Sequence, residues 1–153
     1  MKLVGLVSDS HGLVRPQVVD ALAGVELIVH AGDVGSEAVL ARLRELAPVV
    51  AIRGNNDRGA WAEALPATEV VDVAGALIHV VHDVGELDLD PVAAGFHAVV
   101  SGHSHRPRVE RREGVLYVNP GSIGPRRFSL PVALALLRIS GGELEARIVE
   151  LEV

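Results

Sequence analysis

The stretch KLVGLVSDSHG, residues 2–12, is an apolar run that ends abruptly in small and polar residues. Two later stretches repeat this pattern: ELIVHA at 26–31 runs into GDVGS, and VVAIR at 49–53 runs into GNNDRG. Near-continuous apolar runs of this kind are typical of parallel strands that are covered on both faces. Between them, apolar residues at spacings of three and four predict helices over 16–22 and 36–46. The N-terminal half is therefore expected to consist of βα units.

The second half of the chain favours antiparallel pairing. TEVVDVAGALIHVVHD, residues 68–83, predicts two strands that meet in a hairpin at Ala74 and Gly75. Further along we expect a short helix near 91–94, a strand at AVVS, a hairpin over 108–118, and two final strands joined at Gly141 and Gly142. No linker or internal repeat divides the sequence, so we expect one α/β domain over residues 1–153 with mixed sheets and outer helices.

Composition excludes several classes of protein. The net charge is -6 and no long basic block occurs, so stable nucleic-acid binding is not expected. Cysteine is absent, which rules out disulfides and thiolate metal sites and fits a reducing, cytoplasmic location. The first residues turn polar too early for a signal peptide, and no apolar run approaches the roughly 20 residues of a membrane span.

Polar side chains follow the ends of five predicted strands. Because loops converge at the carboxyl ends of strands in open α/β sheets, we expect these side chains to meet at one rim. Imidazole, carboxylate and amide groups suit Mn, Fe, Zn, Co or Ni, and two ions about 3.5–4 Å apart can clamp a phosphoryl group. The candidate residues are Asp9, His11, Asp33, Asn55, Asp57, His82, His103 and His105.

Each of these residues also has a structural alternative, because strand-end histidines and aspartates commonly cap turns and helix starts. The other three histidines, His30, His79 and His97, lie within or just before strand patterns, and we interpret them as structural. Two questions stay open at this point. Asn119, Gly121 and Ser122 form either a simple turn or a wall of the site, and Arg53, Arg58, Arg126 and Arg127 either contact phosphate or are only solvated.

The order of these motifs resembles that of the calcineurin-like metallophosphoesterases. The motifs are DSH at 9–11, GD at 32–33, GNND at 54–57, His82, and GHSH at 102–105. The chain is most similar to the small bacterial and archaeal phosphodiesterases of that family, from Lys2 to about Pro125, and NPGSIGPRR at 119–127 is similar to their late loop. The resemblance implies a single-domain, four-layer α/β sandwich of two mixed β-sheets flanked by helices.

The resemblance also implies two divalent metal ions, with Mn²⁺ expected and Fe, Zn, Ni or Co as alternatives. In the family pattern Asp33 would bridge the two ions, and Asp57 would accept a hydrogen bond that orients a ligand or catalytic group. One ion would be held by Asp9, His11 and His105, and the other by Asn55, His82 and His103.

The functional hypothesis is metal-dependent hydrolysis of a small phosphodiester, in which water bridging the ions is acidified and attacks phosphorus. The residues expected to take part in catalysis are Asp33, Asn55, Asp57, His82 and His103. The alternatives are a phosphomonoesterase, a module whose ions only stabilise the fold, and a non-catalytic scaffold like the retromer subunit of this fold. Self-association through the apolar tail strands stays open.

Two positions depart from the family pattern. Asn56 stands where larger members have histidine and small members often have cysteine, and an amide cannot act as a general acid at neutral pH. Asp83 stands where the family usually has glycine, so a carboxylate lies near the expected site. It would tune the metal site or repel an anionic substrate.

Overall fold

The computed structural model describes residues 1–153 and contains two five-stranded mixed sheets. The strands of the first sheet are β1 (Lys2–Val7), β2 (Leu27–His30), β3 (Val49–Ala51), β9 (Ala133–Ser140) and β10 (Glu143–Glu150). Their order is β10-β9-β1-β2-β3, in which β1 pairs in parallel with β2 and antiparallel with β9. The two final strands predicted from the sequence therefore extend the sheet that β1 begins.

The strands of the second sheet are β4 (Thr68–Val73), β5 (Ala76–Val81), β6 (Ala98–Val100), β7 (Arg108–Arg112) and β8 (Val115–Asn119). Their order is β4-β5-β6-β8-β7, with parallel pairing of β5 with β6 and of β6 with β8. Both predicted hairpins are present, one joining β4 to β5 and the other joining β7 to β8. The expectation of two mixed sheets is confirmed.

Helices cover the two outer faces of the sandwich unequally. The outer face of the first sheet packs against α1 (Pro16–Ala21) and α2 (Glu37–Arg44) through a cluster of 13 buried residues. The outer face of the second sheet carries a cluster of only three buried residues. The remaining helices are short: α3 (Ala60–Glu63), α4 (Pro91–Ala94) and one 3₁₀ turn at Val84–Glu86. No helix is both long enough and apolar enough to cross a membrane.

The main hydrophobic core lies between the two sheets and contains 17 buried residues, all of them Val, Leu, Ala or Ile. The alternation of side chains along β9 shows how one strand serves two layers. Leu137 packs between the sheets, whereas Leu134 packs against the helices. This packing fixes the direction of every strand. The loops that carry the candidate ligands therefore meet at one rim, where they follow the carboxyl ends of β1, β2, β3, β5 and β6.

His30, at the end of β2, shows how the strand ends are tied together. The backbone N–H of Gly32 donates to its Nδ1 at 3.1 Å, so the ring proton is on Nε2, which faces Ser10 Oγ at 2.8 Å. Ser10 Oγ in turn donates to the carbonyl of Val34 at 2.8 Å. Burial lowers the pKa of His30 to about 4. His30 is therefore a neutral structural residue, as the sequence interpretation held.

The other two histidines interpreted as structural also lie away from the rim cluster. His97 accepts a hydrogen bond from the backbone N–H of Leu77 at 2.9 Å. His79 stacks against Phe96 with ring centroids 5.0 Å apart, and burial lowers its pKa.

Acid should destabilise the fold through His30. Its ring has an ordinary pKa of 6.5 when unfolded, so between pH 6.5 and 4 the unfolded state takes up a proton that the folded state does not. The free energy of unfolding should then fall by about 1.4 kcal/mol per pH unit in that window and be unaffected above it. Urea unfolding of wild type and His30→Gln at pH 7.5 and pH 5 checks this. Between pH 7.5 and pH 5 we expect the free energy of unfolding of wild type to fall by about 2 kcal/mol more than that of the variant. Equal decreases in the two proteins would contradict this prediction.

Candidate metal centre

Two buried carboxylates and three imidazoles converge at the rim. Oδ1 of Asp9 lies 3.5 Å from Nε2 of His105, 3.9 Å from Nε2 of His11 and 4.0 Å from Nε2 of His82. The donor atoms form two overlapping sets, Asp9 with His11 and His105, and Asp9 with Asp33 and His82, and within each set all donor atoms lie within 4.8 Å of one another. The structure therefore brings together five of the predicted ligands.

Asp33 lies between the two sets of imidazoles. Its Oδ2 is 3.3 Å from Nε2 of His82 and 3.8 Å from Nε2 of His11. Because those two histidines belong to the two different ions of the predicted arrangement, one oxygen of Asp33 faces both positions.

Four buried polar atoms of these five side chains have no hydrogen-bond partner: Asp9 Oδ1, His11 Nε2, His82 Nε2 and His105 Nδ1. A buried polar atom without a partner costs about 1–3 kcal/mol, and more if it is charged. Two of them, Nε2 of His11 and Nε2 of His82, lie 3.9 and 4.0 Å from Asp9 Oδ1. Imidazole nitrogen with carboxylate oxygen is a donor set suited to divalent cations. The residues present therefore fit a metal centre.

Neighbouring groups hold the remaining atoms of these side chains. The second carboxylate oxygen of Asp9 accepts hydrogen bonds from Ser8 Oγ at 2.7 Å and from the backbone N–H of His103 at 3.0 Å. Nδ1 of His82 lies 2.7 Å from the carbonyl of Ala31, so it carries the proton and leaves Nε2 free to bind a cation. Ser8 was not singled out from the sequence, although a small polar residue directly before a buried aspartate was the available signal.

The electrostatics of Asp33 and His82 are coupled. Burial acts to raise the pKa of Asp33, but the His82 ring 3.3 Å away and the hydrogen bonds from Asn56 outweigh it and hold the pKa well below its usual range. Burial acts to lower the pKa of His82, but the Asp33 carboxylate 3.3 Å from its Nε2 and the carbonyl of Ala31 outweigh it and raise the pKa to about 9. Asp33 therefore attracts positive charge, and a divalent cation would take the place of the His82 proton.

His103 and Asn55 lie on the exposed side of the cluster. Nδ1 of His103 is 3.3 Å from Oδ1 of Asn55, and the His103 ring packs edge-on against His82 with centroids 5.2 Å apart. The side chain of His103 is 47% exposed, whereas that of Asp9 is fully buried. These two predicted ligands therefore form the open side of the site.

Asp57 does not point into the cluster. Its carboxylate accepts hydrogen bonds from the backbone N–H groups of Gly54 at 2.9 Å, Gly35 at 2.9 Å and Val34 at 3.1 Å. Asp57 thereby joins the loop that carries Asp33 to the loop that carries Asn55. It accepts the kind of orienting hydrogen bond that the sequence predicted, but from backbone groups.

The backbone at the predicted ligands is strained. Positive φ angles occur at Asp9 (55°), His11 (45°), Asp33 (54°), His103 (70°) and His105 (60°). A non-glycine residue in this region costs on the order of 1–3 kcal/mol and persists only where the surroundings enforce it. Such strain is typical of functional sites, and here it falls on five of the seven predicted ligands.

Glycines beside the ligands allow the loops to approach closely. A Cβ at Gly54 would meet the backbone nitrogen and Oδ1 of Asp33, and a Cβ at Gly102 would lie 2.7 Å from Oδ2 of Asp9. Both contacts are shorter than real Cβ atoms tolerate, so only glycine fits.

The loop that follows β8 supports the site from behind. Asn119 donates to the carbonyl of Gly102 at 2.9 Å and to Ser104 Oγ at 3.1 Å, and Ser122 Oγ donates to the carbonyl of Asp9 at 3.0 Å. Arg15, which the sequence did not single out, donates to the carbonyls of Ile123 and Gly124. This loop is therefore structural support for the ligand loops.

The arginines near the motifs have different surroundings. Arg126 and Arg127 line a cavity of about 240 Å³ that also borders His11 and His105. Arg53 instead donates to the carbonyl of Leu65 at 3.3 Å, and Arg58 is exposed and makes no side-chain hydrogen bond or ion pair.

The two departures from the family pattern both touch site residues. Asn56 donates to Asp33 twice, from its backbone N–H at 2.9 Å and from its side-chain amide at 3.1 Å. Asp83 accepts a hydrogen bond from the backbone N–H of Gly85 at 2.9 Å, and its other oxygen lies 3.8 Å from Nε2 of His103. Asn56 therefore holds Asp33 in place, and Asp83 puts a negative charge on the open side.

The fold and the cluster together define a class of protein: a two-sheet α/β sandwich with nitrogen and oxygen donors for divalent cations at one rim. A model of the calcineurin-like phosphoesterase superfamily domain matches residues 1–142. The chain is also 33% identical to a probable metallophosphoesterase of Methanothermobacter thermautotrophicus, over 96% of the chain and 91% of that protein. The chain belongs to the calcineurin-like phosphoesterase superfamily. Membership supports phosphoester hydrolysis with divalent metal ions.

Solved structures share the fold along nearly the whole chain. Chaetomium thermophilum Vps29 superposes with a TM-score of 0.80 at 18% identity, covering 98% of this chain and 97% of that one. A protein described as a novel archaeal phosphodiesterase superposes with a TM-score of 0.73 at 20% identity, covering 96% and 99%. At these identities the likeness shows the fold, which hosts more than one function.

Replacing Gly54 should damage the metal centre. We expect Gly54→Ala to displace Asp33, at a cost of about 1–3 kcal/mol for overpacking, and to weaken Mn²⁺ binding by about 10- to 100-fold. The matched control is Gly85→Ala, because its Cβ would meet only the tip of the Asp83 side chain at 3.2 Å. Calorimetric Mn²⁺ titration of both variants checks this, and wild-type affinity in Gly54→Ala would contradict it.

Proposed function

We propose that this chain is a dinuclear, metal-dependent phosphodiesterase that hydrolyses a small phosphoester, with residues 1–153 acting as one metallophosphoesterase domain. The observation that carries the proposal is the convergence of three unpartnered buried donor atoms, from Asp9, His11 and His82. Neighbouring loops already satisfy the other side-chain atoms of Asp9 and His82. A pair of divalent cations is the chemical partner that the free atoms fit.

The proposed division of ligands follows the family pattern. Asp9, His11 and His105 would hold one ion, Asn55, His82 and His103 would hold the other, and Asp33 would bridge them. Bound cations supply Lewis acidity and lower the pKa of bound water, so that a nucleophile is available near neutral pH. Mn²⁺ is the proposed ion by the family resemblance. The lack of thiolates argues only against a structural zinc site, and Fe, Zn, Ni or Co suit the same donors.

The chain's own residues would orient the substrate from the exposed side of the site. Asp9, Asp33, His82 and His105 are buried, so a phosphoester approaches past His103 and Asn55. Asn55 and His103 would hold their ion at the exposed edge of the cluster, next to the path by which the phosphoester enters. Asp57 would act indirectly, by holding the loops of Asp33 and Asn55 together.

The charge on the open side supports a diester over a monoester. Asp83 places a carboxylate 3.8 Å from Nε2 of His103, where the substrate enters. Near neutral pH a phosphodiester carries one negative charge and a phosphomonoester carries nearly two, so this carboxylate repels a monoester more strongly. The similar archaeal structure described as a phosphodiesterase agrees with this preference.

A non-catalytic scaffold is the second candidate, because Vps29 has the same fold. The ligand set separates the two candidates. All seven proposed ligand positions carry metal-binding side chains in this chain, and five of them hold strained backbone angles. A scaffold that needed only the surface of the sandwich would have no use for that strain.

Hydrolysis of bis(p-nitrophenyl) phosphate by Mn²⁺-loaded protein tests the proposal, together with metal analysis. We expect two Mn²⁺ per chain and turnover that Asp33→Ala and His103→Ala each reduce by about 10²-fold or more. Asp88→Ala is the matched control, because Asp88 is exposed and makes no hydrogen bond. Mn²⁺ binding that raises the melting temperature without turnover would favour a scaffold or a structural metal module. Absence of Mn²⁺ binding would overturn the proposal.

The identity of residue 56 should make turnover depend on the leaving group. Asn56 uses its amide to hold Asp33 and cannot protonate a departing oxygen. A general acid accelerates such a reaction by about 10²- to 10⁴-fold. Without one, we expect kcat for diphenyl phosphate to be about 10²-fold lower than kcat for bis(p-nitrophenyl) phosphate. Asn56→His should reduce this difference between the two substrates. Equal kcat values for the two substrates in wild type would contradict this role.

A further inference from the structure

A groove of about 290 Å³ opens beside the GHSH loop, on the outer face of the second sheet. It is separate from the cluster of buried donors but adjoins the loop that carries His103 and His105. Its walls include Val84, Ser104, Arg106, Arg108, Tyr117 and Asn119. No part of the proposed hydrolysis uses these arginines or the tyrosine.

The alternation of side chains along β7 directs positive charge into this groove. Arg108, Glu110 and Arg112 share one face of the strand, and Glu110 pairs in register with Tyr117 on β8. The intervening Arg111 points to the opposite face, where it donates to the carbonyl of Leu144.

Internal contacts order the arginines of the groove. Glu110 Oε2 lies 2.6 Å from Nη2 of Arg108 and 3.0 Å from Nη2 of Arg112. The guanidinium of Arg112 also lies over the ring of Tyr117, 5.0 Å from its centroid. Exposed ion pairs of this kind add little to stability. Their consequence is that two guanidinium groups are held in place, with N–H donors left over for an anion.

The groove is positive although the chain as a whole is acidic. Arg106, Arg108 and Arg112 supply three positive charges against the single negative charge of Glu110, which leaves two positive charges. The side chain of Arg106 makes no hydrogen bond or ion pair, so its guanidinium is available. The net charge of the whole protein is -6, and this groove is therefore a local reversal of sign.

Hydrogen bonds connect the groove to the metal centre. Asn119 lines the groove and donates to the carbonyl of Gly102, which precedes His103. Ser104, between the two histidines, accepts hydrogen bonds from Asn119 and from the backbone N–H of Arg106. His103 and the groove therefore adjoin the same loop, and a molecule whose phosphoryl group sits beside His103 would extend along that loop toward the arginines.

We propose that this groove is a substrate subsite for a second anionic group, so that the substrate is a phosphodiester bearing a further phosphate elsewhere in the molecule. The subsite rests on the proposed phosphodiesterase function. Charged side chains on an edge strand also discourage strand-to-strand association. That role alone would need neither Arg106, which lies outside β7, nor the ordering of Arg112 on Tyr117.

Two p-nitrophenyl esters that differ by one phosphate test the subsite. They are thymidine 5′-(p-nitrophenyl phosphate) and the same compound with a 3′-phosphate, and both release p-nitrophenol from the same diester. We expect the KM of wild type to be about tenfold lower for the 3′-phosphorylated ester, as expected for a charge-assisted contact. Raising the KCl concentration should shrink this difference, because exposed charges are screened.

The variant Arg106→Ala/Arg108→Ala should remove most of the tenfold difference while leaving kcat, and the KM of the unphosphorylated ester, within about twofold of wild type. Arg44→Ala is the control, since Arg44 is exposed on α2, makes no ion pair and removes the same type of charge. Equal KM values for the two esters in wild type would overturn the subsite. So would a preference that survives in the double variant.

A second readout separates failure of the subsite from failure of the proposed function. If wild type hydrolyses neither ester, calorimetry compares binding of adenosine 3′,5′-bisphosphate and adenosine 5′-monophosphate to the Mn²⁺-treated protein. Tighter binding of the bisphosphate that is lost in Arg106→Ala/Arg108→Ala would support the groove as an anion site without catalysis. Equal binding of the two nucleotides would overturn it.

Discussion

The carboxylate of Asp9 is the group on which the arrangement of the rim depends. It is fully buried, at the end of the central strand β1, with its backbone in the left-handed region. Ser8 and the backbone of His103 satisfy one of its oxygens, and Ser122 donates to its carbonyl. The other oxygen faces only imidazole nitrogens. Because a buried ionised carboxylate without a partner is costly, the loops around Asp9 are arranged for a cation.

The packing of the two sheets offsets the free energy that the strained loops cost. Strain of about 1–3 kcal/mol at each of several ligands would exceed what a small loop could hold by itself. Here the strained loops extend from β1, β2 and β6, which are anchored in the core between the sheets. Asp57 and Asn119 add direct links between loops from different strands. The rigidity of the core is therefore what permits irregular backbone at the rim.

The parts of this structure that follow from local sequence were predictable, and the parts that depend on contacts between loops were not. Apolar runs and turn signals gave both hairpins and the mixed sheets, because strand pairing follows side-chain periodicity. The candidate ligand residues could be picked out because each lies at or just after a strand end. In contrast, the contacts of Asp57 with Val34 and Gly35, and of Asp83 with His103, join residues distant in sequence. No periodicity encodes such contacts. The sequence also did not indicate that helices would cover so little of the outer face of the second sheet.

The buried side and the exposed side of the site differ in what they can determine. The buried donors are fixed by the fold, and in the proposed function they would set which ions bind and which bond is attacked. Charges on the exposed side are free of that constraint and differ in sign across a short distance. Asp83 places negative charge beside His103, whereas Arg106 and Arg108 place positive charge further along the second sheet. A substrate with all its charge at the reacting phosphorus would meet the repulsion without the attraction. A diester with a separate phosphate would place each charge where the surface favours it, so the same metal chemistry becomes selective through surface electrostatics.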